Sequence, residues 1–163
     1  MKIESEVGRG TIVSLYLRAT TTPAKGGDGE GGSRDIFGAG QLVLVVEDDD
    51  PVRAVAVEAL SRLGYRVIEA ADGQEALAAL RDNEDIAALF TDVVLPGALD
   101  GFVLAAKVKA LRPQVRVLYT SGFADKDRLP DELLDRDVEL LPKPYRVSEL
   151  GRRLGRLFAK EDA

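Results

Sequence analysis

The chain has 163 residues and a net charge of −6, from 22 Lys and Arg against 28 Asp and Glu. This leaves room for one domain with a substantial core, and it argues against a general nucleic-acid or membrane surface. The absence of Cys and His excludes disulfides, thiolate catalysis, a Ser-His-Asp triad, imidazole metal ligands and a histidine that carries phosphate.

The first 40 residues predict a hairpin followed by a linker. In residues 1–17, a Val7–Gly10 turn separates two stretches of alternating apolar residues, which predicts a β-hairpin. Residues 18–40 are rich in Thr, Gly and Ser and predict a flexible linker. No apolar run reaches the roughly 20 residues of a membrane span, and no signal-peptide pattern opens the chain, so we expect a cytoplasmic protein.

Residues 41–163 alternate strand and helix five times and predict one domain. The predicted strands are Leu42–Val46, Tyr65–Glu69, Ile86–Asp92, Val115–Tyr119 and Val138–Leu141. Strands that alternate with helices predict a parallel sheet covered on both faces.

Capping residues mark the predicted helices. The first helix has Asp50 as its N-cap, Pro51 as its first residue and Gly64 at its end. Asp72 and Glu75 predict a capping box at the start of the second helix. The remaining helices are predicted at Gly101–Leu111, at about Ala124–Asp135 and from about Val147.

Several strands end in polar residues. Glu47 and Asp48 follow the first strand, Asp92 ends the third, Thr120 follows the fourth and Lys143 follows the fifth. The C-terminal ends of parallel strands share one edge, where open α/β sheets bind ligands. Clustered carboxylates need a cation, and Mg²⁺ prefers carboxylates, carbonyls, waters and phosphate oxygens.

A cluster of this kind suits phosphoryl chemistry. An aspartate can attack phosphorus and form an acyl phosphate, with a lysine, a hydroxyl and a metal ion around the transferred group. The metal pair is either Glu47–Asp48 or Asp48–Asp49, and helix capping is the competing role for Asp49 and Asp50.

Four short segments together resemble the signatures of two-component receiver (response-regulator) domains. They are Val45–Asp48, Thr91–Gly97, Thr120–Gly122 and Lys143–Tyr145. The resemblance covers nearly all of residues 41–163. It implies a flavodoxin-like (βα)5 doubly wound sheet with strand order 2-1-3-4-5.

The resemblance also implies roles for individual residues. It makes Asp92 the phosphoacceptor, with Mg²⁺ bound by Glu47, Asp48, Asp92 and the backbone carbonyl of Val94. Thr120 would bond the phosphoryl group and Lys143 would pair with it, and the Lys143–Pro144 peptide would be cis.

The implied donor is a histidine kinase or a histidine phosphotransfer protein. Phosphorylation would draw Thr120 and Lys143 inward and change the loop after Thr120 and the face made by the last two helices and the strand between them. A homodimer through that face is a partner that the resemblance allows. No nucleic-acid or membrane partner is expected.

Two positions depart from the usual receiver pattern. Leu140 stands three residues before the lysine, where receivers often carry an aromatic residue that rotates on phosphorylation. The loop at 96–101 has an extra residue, a variant found in receivers fused to kinases. Output would then depend on the loop and the helix alone.

The N-terminal segment Ile3–Thr11 resembles the closing strands of the ATP-binding domain of sensor histidine kinases. The nucleotide-binding boxes of that family are missing. We therefore expect the C-terminal end of a hybrid histidine kinase, which cannot itself bind ATP or phosphorylate a histidine and is not an enzyme beyond self-catalysed phosphotransfer and dephosphorylation.

Two rival functions belong to other classes. One is a phosphatase with an aspartate nucleophile, similar to the haloacid dehalogenases. Those enzymes place a second acid two residues after the nucleophile, where this chain has Val94. The other is an interaction module that keeps the fold without the chemistry, which the retained site residues argue against.

Overall fold

The computed structural model describes residues 2–6, 8, 10–14, 16, 38–122 and 139–159. The chain divides into two units, Met1–Gly32 and Ser33–Ala163. The helix expected at about Ala124–Asp135 and the greater part of the expected linker lie outside the described residues.

The first unit contains an antiparallel hairpin. Strand β1, Lys2–Glu6, pairs with β2, Gly10–Ser14. Gly8 and Gly10 have φ angles of +82° and +94°, which glycine adopts without a Cβ clash. Apart from Ser14, every strand residue is exposed, so the described part of the hairpin has no core of its own. Isolated two-stranded hairpins are marginally stable in water.

The second unit is built on a five-stranded parallel sheet. Its strands are β3 Leu42–Val46, β4 Arg66–Ala70, β5 Ile86–Asp92, β6 Arg116–Ser121 and β7 Glu139–Pro142. They lie in the order β4-β3-β5-β6-β7. Numbered from the first strand of this sheet, that order is 2-1-3-4-5, so the expected flavodoxin-like fold is confirmed.

Four described helices cover the two faces of the sheet. They are α1 Asp50–Arg62, α2 Gly73–Asp82, α3 Gly101–Leu111 and α4 Val147–Ala159. Side chains alternate along β3: Leu44 and Val46 pack on the face that α2 and α3 cover, whereas Val43 and Val45 pack on the face that α1 and α4 cover. Burial on both faces explains why the central strand is continuously apolar.

Helix α1 begins one residue earlier than its sequence predicts. Asp49 is the N-cap, with an extended backbone and a carboxylate that accepts the Val52 N–H at 3.0 Å. Asp50 is therefore the first helical residue and Pro51 the second, and the assignment of Asp50 as N-cap is wrong. Three consecutive aspartates each offer a capping carboxylate, so the sequence alone does not distinguish them.

The end of α1 follows the glycine rule and also explains the start of β4. Gly64 has a φ of +87°, its N–H donates to the Ser61 carbonyl at 3.0 Å, and the Tyr65 N–H donates to the Leu60 carbonyl at 3.1 Å. This pair of bonds is a Schellman motif. Because the motif uses the Tyr65 N–H, the strand begins at Arg66 and not at Tyr65 as predicted.

The chain that enters the second unit is attached to this same turn. The Gly38 N–H donates to the Leu63 carbonyl at 2.5 Å, and the Gly40 N–H donates to the Gly64 carbonyl at 3.1 Å. A Cβ on Gly38 would lie 2.5 Å from the Tyr65 ring, so only glycine fits there. The entry point is thus fixed beside the N-terminal ends of the strands.

Helix α2 starts with the capping box that its sequence predicts. The Asp72 carboxylate accepts the N–H groups of Gln74 and Glu75 at 2.7 and 2.9 Å. The Glu75 carboxylate accepts the Ala71 N–H at 2.8 Å, so it reaches one residue beyond the N-cap.

Candidate functional site

The polar residues predicted at strand ends lie together at the C-terminal edge of the sheet. Glu47 and Asp48 follow β3, Asp92 is the last residue of β5, and Lys143 follows β7. Thr120 in β6 is in register with Asp92. The common direction of the strands therefore gathers residues that are almost 100 positions apart in the chain.

Three carboxylates form the centre of the site. Glu47, Asp48 and Asp92 have oxygens that all lie within 4.8 Å of one another, and they are the acidic group in the described residues that could hold a metal ion. Glu47 and Asp92 are buried, whereas Asp48 is exposed. Burial raises the pKa of the Glu47 carboxyl, Lys143 opposes this shift, and the charges of Asp92 and Asp48 add to it. The cluster therefore favours a bound cation.

Lys143 places its ammonium group between two of these acids. Its Nζ donates to Glu47 Oε2 at 2.6 Å and to Asp92 Oδ2 at 2.5 Å. Burial lowers the pKa of Lys143, but the hydrogen bonds to Asp92 and Glu47 outweigh it, so the net pKa is raised. The amine stays charged and directly contacts the predicted phosphoacceptor. The Lys143–Pro144 peptide is cis, as expected.

The geometry separates the two candidate metal pairs. The Asp49 carboxylate is used as the cap of α1, where it accepts the Val52 N–H. Glu47 and Asp48 are the acids that group with Asp92. The sequence left two pairs open as metal ligands, and the positions of the carboxylates favour Glu47–Asp48 over Asp48–Asp49.

The backbone around Asp92 is fixed by close packing that the sequence alone did not indicate. A Cβ on Gly101 would lie 2.0 Å from the Asp92 carbonyl oxygen, and the Gly101 N–H donates to the Val93 carbonyl at 3.0 Å. Gly101 follows the helix cap Asp100, so the sequence identified it as a helix start only. No spacing in the sequence marks this role, because the approach of the Gly101 backbone to the Asp92 carbonyl is a tertiary contact.

Thr120 is buried beside Asp92, and its hydroxyl finds no hydrogen-bond partner among the described residues. Its Oγ1 is the buried side-chain polar atom that makes no hydrogen bond within the described ranges. The neighbouring buried hydroxyl of Thr91 donates to the Asp92 carbonyl at 3.0 Å. An unsatisfied buried hydroxyl next to a carboxylate fits a site that receives a group rich in acceptor oxygens.

The loop after β5 closes the site on one side. The Val94 N–H donates to Asp92 Oδ1 at 3.1 Å, and the Val94 carbonyl, the fourth predicted metal ligand, belongs to the same loop. Leu99 in the lengthened part of the loop is buried, and a Cβ on Gly73 would lie 2.6 Å from the Leu99 Cβ. The extra loop residue therefore does not leave the loop unpacked.

Leu140 replaces the aromatic residue of many receivers and is half-buried in the core on the Tyr119 side. It presents no ring that could rotate.

An apolar groove of about 550 Å³ lies beside Lys143. It is lined by Pro51, Val52, Val55, Lys143, Pro144 and Tyr145. Val55 is 63% exposed, so its side chain contributes apolar surface to the groove. Burial raises the pKa of the Tyr145 hydroxyl to about 12, so this hydroxyl is neutral, and Lys143 is the charged side chain of the groove lining. The groove gives the surface next to the site an apolar character.

Comparisons with known proteins agree on one family. Residues 43–154 match the family described as "Response regulator receiver domain". The chain is 30% identical over 167 residues to the sensor kinase CckA of Brucella abortus, covering 98% of this chain and 18% of that protein. It is 31% identical over 116 residues to the response regulator receiver protein CpdR of the same species, covering 71% of this chain and 95% of CpdR.

A solved structure supports the same relationship. The crystal structure of the receiver domain from the hybrid histidine kinase CckA superimposes with a TM-score of 0.57 and 33% identity, covering 71% of this chain and 97% of that chain. The chain thus spans nearly all of CpdR but less than a fifth of the CckA sensor kinase. No helix in the described ranges is long and apolar enough to cross a bilayer.

Proposed function

The chain belongs to the response regulator receiver domain family, and we propose that it accepts a phosphoryl group from a phosphohistidine onto Asp92. The observation that supports this most is the arrangement around Asp92: two further carboxylates within 4.8 Å, the Lys143 ammonium at 2.5 Å and the Thr120 hydroxyl, which has no partner in the part of the chain that the structure describes.

The residues fit a magnesium ion. Glu47, Asp48 and Asp92, with the Val94 carbonyl, would hold it, because these are the hard oxygen ligands that Mg²⁺ prefers. When bound, Mg²⁺ neutralises negative charge on the carboxylates and on the phosphoryl oxygens. Asp48 is the exposed member of the group, so the site is open to solvent on that side.

The transfer uses Asp92 as the nucleophile. A carboxylate oxygen of Asp92 forms a bond to phosphorus, while the bond from phosphorus to the donor imidazole nitrogen breaks and that nitrogen keeps the electron pair. Lys143 already contacts Asp92, so its ammonium group can move from Glu47 to a phosphoryl oxygen without leaving the site.

Thr120 couples the phosphoryl group to the rest of the domain. Its hydroxyl can donate to a phosphoryl oxygen, which satisfies a group that otherwise has no partner in the described part of the chain. The shift would pass from Ser121 and Gly122 into the segment that follows, which lies outside the described residues. We propose that the output face, including a homodimer contact, is formed there together with β7 and α4.

The donor is a histidine kinase domain or a histidine phosphotransfer protein. The apolar groove beside Lys143 supplies a surface on which such a donor can dock with its phosphohistidine directed at Asp92.

In a hybrid kinase, the hairpin β1–β2 would be the end of an attached kinase domain. The similarity to CckA over 98% of this chain supports a hybrid kinase as the parent.

The test is incubation of the chain with Mg²⁺ and a small phosphoryl donor, followed by peptide mapping of the label. We expect the label on the peptide that contains Asp92 and none in Asp92→Asn. Label on another residue, or unchanged labelling of the variant, would contradict the assignment. Repeated hydrolysis of a phosphomonoester would indicate the phosphatase. A lack of Mg²⁺-dependent beryllofluoride binding would indicate the interaction module.

A further inference from the structure

Arg53 in α1 is bonded to three different acceptors. Its guanidinium donates to the Glu47 backbone carbonyl at 2.7 Å, to Asp50 Oδ1 at 2.5 Å and to Glu69 Oε2 at 3.3 Å. The Arg53 side chain is only 15% exposed, although the carboxylates of Asp50 and Glu69 are 80% and 60% exposed. The guanidinium is therefore largely shielded from solvent and directed toward the backbone of Glu47, where β3 ends.

This position is unfavourable for a cation on the helix alone. Arg53 is the fourth residue of α1, and a positive charge near a helix N-terminus opposes the helix dipole. The three acceptors compensate for this. A residue that breaks a local rule and is held by several specific contacts points to a role outside its own helix.

The bond from Arg53 is one of three hydrogen bonds that hold Glu47 in place. The Glu47 N–H donates to the Ala70 carbonyl at 3.2 Å, its carboxylate accepts from Lys143 at 2.6 Å, and its carbonyl accepts from Arg53. The Glu47 carbonyl and the Asp48 N–H belong to one planar peptide unit. Fixing the carbonyl thus fixes the plane from which the Asp48 side chain projects.

We infer that Arg53 is a positioning residue that holds the peptide between Glu47 and Asp48 and so orients both acids toward a bound metal ion. This inference rests on the proposed function. Asp50 and Glu69 hold two sides of the guanidinium so that the third points at the carbonyl. The arginine donors sit at fixed, separated positions in one plane, whereas the three donors of a lysine ammonium radiate from a single nitrogen, so lysine does not replace arginine fully.

The test compares Arg53→Met and Arg53→Lys with Arg62→Met in the full chain. Arg62 is a matched control because it lies in the last turn of the same helix and pairs only loosely, at 3.8 Å, with the exposed Glu58. Two quantities are measured, the Mg²⁺ affinity by titration and the Asp48 amide resonance with EDTA present. The melting temperature with EDTA present establishes that each variant folds.

We expect Arg53→Met to weaken Mg²⁺ binding by about tenfold or more, which is typical when a residue that orients a ligand is lost. Arg53→Lys should lie between Arg53→Met and the unmodified chain. The Asp48 amide resonance should move in Arg53→Met before any metal is added. Arg62→Met should change neither quantity.

If Arg53→Met has the Mg²⁺ affinity and the Asp48 amide position of the unmodified chain, the inference is wrong. Should Arg53→Met not fold, Glu69→Met removes one flanking acceptor in the edge strand β4, and we expect it to shift the Asp48 amide resonance and weaken Mg²⁺ binding by about threefold. No change there also overturns the inference. Failure of the unmodified chain to bind Mg²⁺ would defeat the proposed function, whereas the amide resonance would still test the role of Arg53.

Discussion

The site has an acid side, formed by Glu47, Asp92 and Lys143, and a hydroxyl side, formed by Thr120, and the two differ in how their polar atoms are bonded. On the acid side, Lys143 bridges both carboxylates at 2.6 and 2.5 Å. On the hydroxyl side, the buried Thr120 Oγ1 has no partner within the described residues.

This difference separates two tasks of the proposed function. Groups that are fixed in advance lower the cost of orienting the reacting atoms, so the acid side suits acceptance of the phosphoryl group. A buried hydroxyl without a partner costs about 1–3 kcal/mol, and a new acceptor would recover part of that cost. The hydroxyl side therefore suits the response. Four variants test this division.

The largest effect is expected from Lys143→Met, which removes the cation from the acid side. The variant leaves Glu47 and Asp92 buried without compensation, and breaking such a pair costs about 3–5 kcal/mol. We expect the free energy of unfolding to fall by that order in EDTA and to recover more with Mg²⁺ than in the unmodified chain.

Chemical denaturation with and without Mg²⁺ measures this effect. Lys109→Met is the control, since within the described part of the chain the exposed Lys109 amine bonds only to the Pro113 carbonyl. Equal losses in the two variants would show that the bridge does not hold the acid side together.

Gly101→Ala tests the backbone that supports Asp92. The new Cβ would meet the Asp92 carbonyl oxygen at 2.0 Å, so the strand end must shift, and overpacking of this kind costs about 1–3 kcal/mol. We expect labelling of the folded protein by a small phosphoryl donor to slow by about tenfold, as displacement of a reacting group predicts.

Gly73→Ala is a close control for this variant. Gly73 also starts a helix directly after an aspartate N-cap, and its Cβ would meet Leu99 at 2.6 Å without touching Asp92. Both variants should lose stability, but only Gly101→Ala should lose labelling rate. Equal labelling rates in the two folded variants would argue against a role in positioning.

Val55→Asp tests whether a protein donor docks beside the acid side. An acidic residue in the apolar groove should weaken docking, and we expect transfer from a phosphohistidine protein to fall by about tenfold. The rate with a small donor should stay within about twofold, because Val55 lines the groove and is not one of the three carboxylate residues that group around Asp92. Parallel assays give the ratio of the transfer rate from the phosphohistidine protein to the rate from the small donor. If this ratio is the same in Val55→Asp and in the unmodified chain, the donor does not dock in the groove.

Thr120→Val should have the smallest effect on stability and the clearest effect on response. Replacing an unpartnered buried hydroxyl with a methyl group should leave the free energy of unfolding unchanged or raise it by about 1 kcal/mol. Thr91→Val removes a hydroxyl that is bonded to the Asp92 carbonyl, so it should lower stability by about 1 kcal/mol.

Beryllofluoride with Mg²⁺ then separates binding from response. Thr120→Val should still bind the phosphate mimic, but the amide resonances of Ser121 and Gly122 should move less than in the unmodified chain. If those resonances move as far as they do without the substitution, the hydroxyl side does not carry the response.

The sequence predicted the gathering of the acids because strand direction alone determines it. Every strand of the sheet runs the same way, so residues that follow β3, β5 and β7 must meet at one edge. The sequence determines the helix boundaries less closely than the strand direction. Asp48, Asp49 and Asp50 are chemically equivalent caps, and only the bond from Val52 selects Asp49.

Gly101 and Arg53 could not be found from sequence pattern. The role of Gly101 depends on how closely α3 approaches the Asp92 carbonyl, and that of Arg53 on which carbonyl lies within reach of its guanidinium. Both contacts are tertiary, and neither leaves a period or a spacing in the chain.

The kinase origin of the N-terminal hairpin and the helix expected at about Ala124–Asp135 remain predictions.

The attachment of Gly38 and Gly40 to the turn after α1 has a consequence for any donor carried earlier on the same polypeptide. These bonds hold Gly38–Gly40, the residues that lead into β3, beside the N-terminal ends of the strands, whereas Asp92 lies at their C-terminal ends. The five residues of β3 alone separate the two ends by about 16 Å. If a donor domain precedes residue 38 on the same polypeptide, the length of the segment that joins it would set the effective concentration of that donor at Asp92, and shortening the segment would favour exchange between neighbouring molecules.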